Sequence, residues 1–177
     1  MRFGGIVLAA ALLLGACTDD PAPKEPTGTT SATAGRPTPT ATLPVMPDQA
    51  KENSPEGATA LVAYWVELSN YAAETGDVEA LARISASDCE GCAKYIELYR
   101  TTYSNGGYFK GGAWELGDAR VSHVDESYFV AVHVSWDKSS FKADAHDEEH
   151  ADGAGSDDLT FEVRGGKVRQ LVLGGAE

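Results

Sequence analysis

The chain has 177 residues, 42% of them hydrophobic, with three Trp, seven Tyr and five Phe. That content excludes a wholly disordered protein and allows one ordinary domain with a core. Its formal charge of −13, from 27 acidic against 14 basic residues, disfavours binding to nucleic-acid phosphates or to an anionic membrane surface.

The first element is a short apolar run at 6–14, preceded by Arg2. A mature membrane-spanning helix needs roughly 20 apolar residues, so this run is too short to be one. A basic start, a short apolar core and small residues before a cut form the pattern of an export signal. The run ends in Leu14-Gly15-Ala16-Cys17, which resembles the bacterial lipobox. The resemblance implies cleavage after residue 16 and a diacylglycerol on Cys17. Two acyl chains meet the requirement for stable anchoring, which one chain does not. The expected location is the outer face of the cell membrane, with the N-terminal lipid as the membrane contact. The alternative is an ordinary signal peptide that happens to carry a cysteine.

Residues 17–52 read as a tether. All eight prolines of the chain fall between residues 18 and 55, among Thr, Ser and Ala. Such a segment buries too little surface to offset its ordering entropy. Fully stretched it would reach about 100 Å. The folded domain is expected over 53–177.

Asn53-Ser54-Pro55-Glu56 is a helix start, with Ser54 as cap and Pro55 in the first turn. Leu61, Tyr64, Trp65, Leu68, Tyr71 and Ala72 then recur at helical spacing. Gly76 ends this helix and Asp77 caps the next, whose apolar positions are Val78, Leu81 and Ile84. A third helix is predicted from about Asp88 to Ser104, with Cys92, Tyr95, Ile96, Tyr99 and Tyr103 inward, and Asn105-Gly106-Gly107 stops it. After Gly112 the period changes to two. Tyr128, Val130, Val132, Val134 and Trp136 alternate with Phe129, Ala131, His133 and Ser135, the pattern of a strand. Its partner lies over 113–124, where the apolar parity slips near Gly117-Asp118 and predicts a bulge. Leu159, Phe161 and Val163 mark a third strand. Arg164-Gly165-Gly166-Lys167 is a tight turn, and a fourth strand follows over 168–173. The class is α+β: three N-terminal helices packed on a curved antiparallel sheet of about four strands.

A Tyr/Trp-rich first helix, the Thr75-Gly76-Asp77 break, two further helices and a strand meander resemble the nuclear transport factor 2-like cone fold. More narrowly, Tyr71-Ala72-Ala73-Glu74-Thr75-Gly76-Asp77, Cys89-Glu90-Gly91-Cys92 and the glycine pair at 111–112 resemble a family of actinobacterial lipoproteins of unknown function. The resemblance spans about 53–174 and implies the cone fold. It brings no catalytic residue.

Four constellations are candidates for chemistry. Cys89 and Cys92 form a CxxC pair. A redox role would need a preceding strand and the thioredoxin setting, and no proline follows Pro55 to supply the loop those folds place beside the disulfide. Zinc would need two more ligands. The remaining reading is a short structural disulfide in an exported protein. His146-Asp147-Glu148-Glu149-His150 has the letters of an inverted zinc-protease motif, which requires both histidines on one face of a helix. Here the letters fall in a stretch with no apolar stripe, over 137–158, so a solvated acidic hairpin loop is expected. His146 and His150 are the weak metal candidates. An acid–base site in the cone would need a buried Asp or His. Asp118 sits at the suspected bulge, His123 shares the parity of Val121 and is read as inward, and His133 is read as outward. Finally, Tyr64, Trp65, Tyr71, Tyr95, Tyr99 and Tyr103 line either a core or a ligand pocket.

Three functions follow from these readings. The favoured one is a lipid-anchored, non-enzymatic binding or accessory module with no cofactor, whose partner is an envelope protein or a small molecule. The second is an isomerase- or hydratase-like enzyme using the cone cavity. The third is a protein-docking module with an apolar sheet face around Trp114, Phe129 or Trp136.

Overall fold

The computed structural model describes residues 41–174. Cys17, the export signal and most of the tether lie outside the described residues. A short 3₁₀ helix, Asp48–Lys51, precedes three α-helices: α1 (Pro55–Thr75), α2 (Glu79–Ile84) and α3 (Glu90–Ser104). Seven strands follow: β1 (Gly106–Gly111), β2 (Trp114–Val124), β3 (Ser127–Trp136), β4 (Ser139–Asp144), β5 (His150–Asp152), β6 (Gly155–Arg164) and β7 (Lys167–Leu173).

The domain begins earlier than residue 53. Ala50 is buried, and Met46 packs against the core. The Tyr64 hydroxyl lies 3.5 Å from the Pro44 carbonyl. These apolar residues are too sparse to show periodicity, yet each finds a place against α1.

The helix boundaries follow local chemistry. Ser54 Oγ accepts the Gly57 N–H at 3.0 Å, and Pro55 occupies the first turn. Gly76 ends α1 at φ +78°, its N–H donating to the Ala72 carbonyl at 2.8 Å. Asp77 accepts the Glu79 N–H at 3.0 Å at the start of α2. The N-cap of α3 is Cys89, whose Sγ accepts the Cys92 N–H at 3.2 Å.

The strands form two antiparallel sheets rather than one of about four strands. One runs β2-β3-β6-β7 and the other β1-β4-β5. The four-stranded sheet is the expected meander, with its bulge between Leu116 and Ala119 of β2. The three-stranded sheet occupies residues read from sequence as a helix stop and an acidic loop. Its strands hold few apolar residues. Phe109 and Phe141 stack across β1 and β4 with ring centroids 6.0 Å apart.

One face of the four-stranded sheet carries Val130, Val132, Val134, Leu159, Phe161, Val163, Val168 and Leu171, all buried against the helices with Leu61, Trp65, Leu68 and Leu81. At about 25 cal/mol per Å² of apolar surface, this layer is the main stabilising term. Beyond α2, Ser85 makes a parallel bridge with Val168, and the Ala86 N–H donates to the Val168 carbonyl at 2.8 Å. The edge of β7 is thereby covered where that strand begins.

Candidate functional site

The candidate site is the space between the helices and the four-stranded sheet. Trp65 is its centre and is fully buried. Its Nε1 donates to Ser85 Oγ at 3.0 Å, and the Ser85 hydroxyl donates to the Leu81 carbonyl at 2.8 Å. The indole meets Phe161 of β6 edge-on at 5.4 Å and Tyr95 of α3 at 6.2 Å. Tyr95 in turn meets Trp114 of β2 at 5.1 Å, and Tyr99 meets Phe109 of β1 at 5.6 Å. Such edge-to-face pairs add about 0.5–1.5 kcal/mol each beyond their buried area. Aromatic side chains therefore fill the space from α1 through α3 to both sheets.

The polar tips of this cluster are paired. The Tyr99 and Ser69 hydroxyls lie 3.1 Å apart in the interior. Burial pushes the Tyr99 phenol up to about 12, against a smaller opposing effect of the Ser69 bond. Burial, and then the charge of Asp157, also raises Tyr95. Both stay neutral at ordinary pH. The Tyr103 hydroxyl sits 2.7 Å from the carbonyls of Ala73 and Glu74 at the end of α1. Tyr71 is half-buried. Trp65, Tyr95 and Tyr99 thus form one aromatic wall, while Tyr64 and Tyr103 tie down its ends.

The acid–base candidates do not enter this space. Asp118, His123 and His133 are all exposed. Its parity with Val121 predicts an inward His123. It does share that face of β2, but it lies near the hairpin tip and stacks on Tyr128 at 4.4 Å. His133 points outward as expected and sits 2.9 Å from Asp158. Among the described residues the buried polar side chains are Ser69, Ser85, Thr102, Ser127 and Thr160, and none of them is ionisable at neutral pH.

The acidic stretch is more ordered than a loop. His146 and His150 flank the β4–β5 turn and sit on no common helix. His150 Nε2 lies 3.2 Å from the Asp147 carboxylate, and its ring stacks on Phe141 at 5.2 Å. The Ala143 N–H, and then His150, hold Asp147 below the usual carboxylate range. Glu149 is lowered in the same way, first by its bond from Tyr108. Among the described residues no group of three or more His, Cys, Asp or Glu is placed to hold a metal ion.

Cys89 and Cys92 are joined by a disulfide and are both buried at the start of α3. Between them, Gly91 lies against β7. A Cβ there would stand 2.1 Å from the Leu171 carbonyl oxygen. The pair therefore fixes a close approach of helix to strand.

Among the clefts outside the aromatic interior, two touch the acid–base candidates. One, of about 710 Å³, is lined by Lys51, Asn53, His123, Tyr128 and Arg164 between the 3₁₀ helix and two hairpin tips. The other, of about 730 Å³, lies on the outer sheet face beside Asp118, Arg120, Phe129, His133 and Asp158. Sequence reasoning missed the first because its walls come from three separate turns. Phe129 is half-buried on the outer face beside Ala131, Arg120 and His133, whereas Trp114 and Trp136 are half-buried on the core side. The three residues expected to share one docking face therefore lie on opposite faces of the sheet.

Residues 29–165 match the model of DUF6318, a family of unknown function. The chain belongs to that family. No curated protein matches it. Among solved structures, it is similar to the intermembrane space region of the chloroplast protein ARC6, at 13% identity and a TM-score of 0.53, covering 71% of this chain and 99% of that one. That likeness concerns the fold alone. A putative polyketide cyclase from Xanthomonas campestris aligns at 17% identity and a TM-score of 0.40, over 69% of this chain and 92% of its own. An NTF2-like protein with a cystatin-like fold from Novosphingobium aromaticivorans aligns at 19% identity and a TM-score of 0.33, over 64% and 77% respectively. At those scores neither likeness bears on the function of this DUF6318 domain.

Proposed function

We propose that the protein is an exported lipoprotein, anchored through Cys17 at the outer face of the cell membrane, whose domain acts as a non-enzymatic binding or accessory module. The observation that carries this reading is the interior built around Trp65. Aromatic side chains occupy it, and no carboxylate or imidazole is buried there among the described residues. A hydratase- or isomerase-like use of the cone needs such a group beside an apolar cavity. Asp118 and His123, the two sequence candidates, are on the surface. The lipobox-like Leu14-Gly15-Ala16-Cys17 supports the anchor.

Two measurements test the reading. Full-length protein expressed in an exporting bacterial host should partition with membranes and lose that partition on Cys17→Ser. Retention of the variant in the membrane fraction would remove the lipid anchor from the proposal. The native protein should also leave the fluorescence of 1-anilinonaphthalene-8-sulfonate unchanged. A saturable rise, abolished by substitution at Tyr95, would show an open aromatic cavity and remove the filled interior on which the non-enzymatic reading rests.

A further inference from the structure

The two edges of the four-stranded sheet are treated differently. Ser85 and Ala86 cover β7 at Val168, and the backbone at Gly91 approaches the Leu171 carbonyl. On β2, Asn70 satisfies one residue: its Nδ2 donates to the Trp114 carbonyl, and the Trp114 N–H donates to its Oδ1, both at 2.9 Å. From Glu115 to Val124 every residue except Val121 is exposed. This edge carries no Pro or Lys, and its charges, Glu115, Asp118 and Arg120, lie at and beside the bulge.

The free backbone groups of β2 can be assigned from both ends. Asn70 shows that the N–H and C=O of Trp114 point away from β3. Hydrogen-bonding direction alternates along a strand, so Leu116 points the same way. At the other end, the two-residue turn Asp125-Glu126 makes Val124 and Ser127 a hydrogen-bonded hairpin pair. Val121 and Ala119 therefore face outward. The bulge reconciles the two counts, since Gly117 and Asp118 together oppose His133.

We propose that two copies of this chain join edge to edge through antiparallel β2 strands, around a twofold axis at Ala119. In that register Ala119 pairs with Ala119 of the second copy, and Leu116 pairs with its Val121. Each such pair exchanges two backbone hydrogen bonds. The two bulge residues oppose Arg120 of the second copy, which sets Asp118 against Arg120 twice across the axis. Leu116, 37% exposed in the single chain, is covered by Val121 on the same face of the sheet. Apolar residues meet apolar residues, opposite charges meet, and the two bulges fall in register. A strand of unrelated sequence has no reason to satisfy all three conditions.

The test is oxidative cross-linking of full-length protein in whichever cell fraction it occupies. A hydrogen-bonded antiparallel pair sets its Cα atoms about 5.5 Å apart, within the disulfide range of about 4.4–6.8 Å. Ala119→Cys should therefore give a disulfide dimer on a non-reducing gel. Ser122→Cys, exposed on the same strand, would place its two thiols about 20 Å apart and should give at least 5-fold less. Sedimentation of detergent-solubilised protein supplies the second readout. Arg120→Asp alone should raise the dimer dissociation constant at least 5-fold, and adding Asp118→Arg should restore it. Equal cross-linking of the two cysteine variants overturns the proposal. So does an adduct at the mass of a different protein, a monomeric wild type, or failure of the double swap to rescue. Each cysteine variant is also cross-linked in a Cys17→Ser background, which removes any free thiol there, so loss of the lipoprotein reading and loss of this one are separate results.

Discussion

Replacing Gly76 by alanine should cost this domain about 3 kcal/mol, and the cost divides in a way that can be measured. Gly76 has φ +78°, and a side chain in the left-handed region carries a strain of about 1 kcal/mol. The added Cβ would also stand 2.4 Å from Cγ and 2.7 Å from Cβ of Tyr103. The ring must move, and its hydroxyl then leaves the carbonyls of Ala73 and Glu74. Losing that bond costs about 1 kcal/mol. The displaced ring also gives up contact with Phe109, 6.5 Å away between centroids, for roughly 1 kcal/mol more. For a domain of this size 1 kcal/mol corresponds to about 4 °C, so the melting temperature should fall by about 12 °C. Thermal unfolding by circular dichroism reads the loss. A double-mutant cycle with Tyr103→Gly, which removes the ring and also the Cβ that would stand 2.7 Å away, divides it: in that background Gly76→Ala should cost only the backbone strain, about 1 kcal/mol. An equal cost in both backgrounds would refute the collision with Tyr103.

Other expectations follow from the same packing. Trp65→Ala removes the centre of the aromatic interior and should cost about 3–5 kcal/mol in urea unfolding, more than Trp65→Phe. Gly91→Ala drives a Cβ against the Leu171 carbonyl and should destabilise by more than 2 kcal/mol, about the threshold of ordinary single substitutions, in the same assay. Alkaline stability should depend on Tyr99. Its phenol ionises at about 12 when folded and at about 10 when unfolded, so above pH 10 the unfolded chain loses the proton first. Stability present below pH 10 should then fall, by at most about 3 kcal/mol, as pH rises through 12. Urea titrations at pH 9 and pH 11 should show this decline shrinking in Tyr99→Phe; an unchanged decline would assign it to other groups.

What could be read from the sequence follows from how strongly each residue is constrained locally. Ser54, Pro55 and Gly76 fix both ends of α1 by capping chemistry within a few residues, so the helix was visible. The alternation from Tyr128 to Trp136 reflects one buried face, and the parity slip beside Gly117 announced the bulge. The three-stranded sheet gave no such signal. Phe109 and Phe141 supply its apolar contact, and its strands otherwise hold mostly Gly, Ser, Lys, Ala and Asp, with one Tyr and one His and no alternating apolar pattern. Pairing across β1 and β4, about thirty residues apart, creates that sheet. The aromatic wall was legible as a set of residues but not as a filled space. Whether Tyr95 leaves room beside Trp65 depends on Trp114 and Phe161, which arrive from two different strands. His123 shows the limit of parity: the rule gives its face but not that the strand runs past the last helix to cover it.

Ser85 and Ala86, lying along the start of β7, also restrict how far the four-stranded sheet can grow. With the start of that edge covered, the longer open edge of the sheet is that of β2. A strand added there uses up that edge, and when the added strand is another β2, the far edge of the second copy is covered at its start in the same way. Pairing through β2 alone, as proposed, would stop at two copies rather than build fibres.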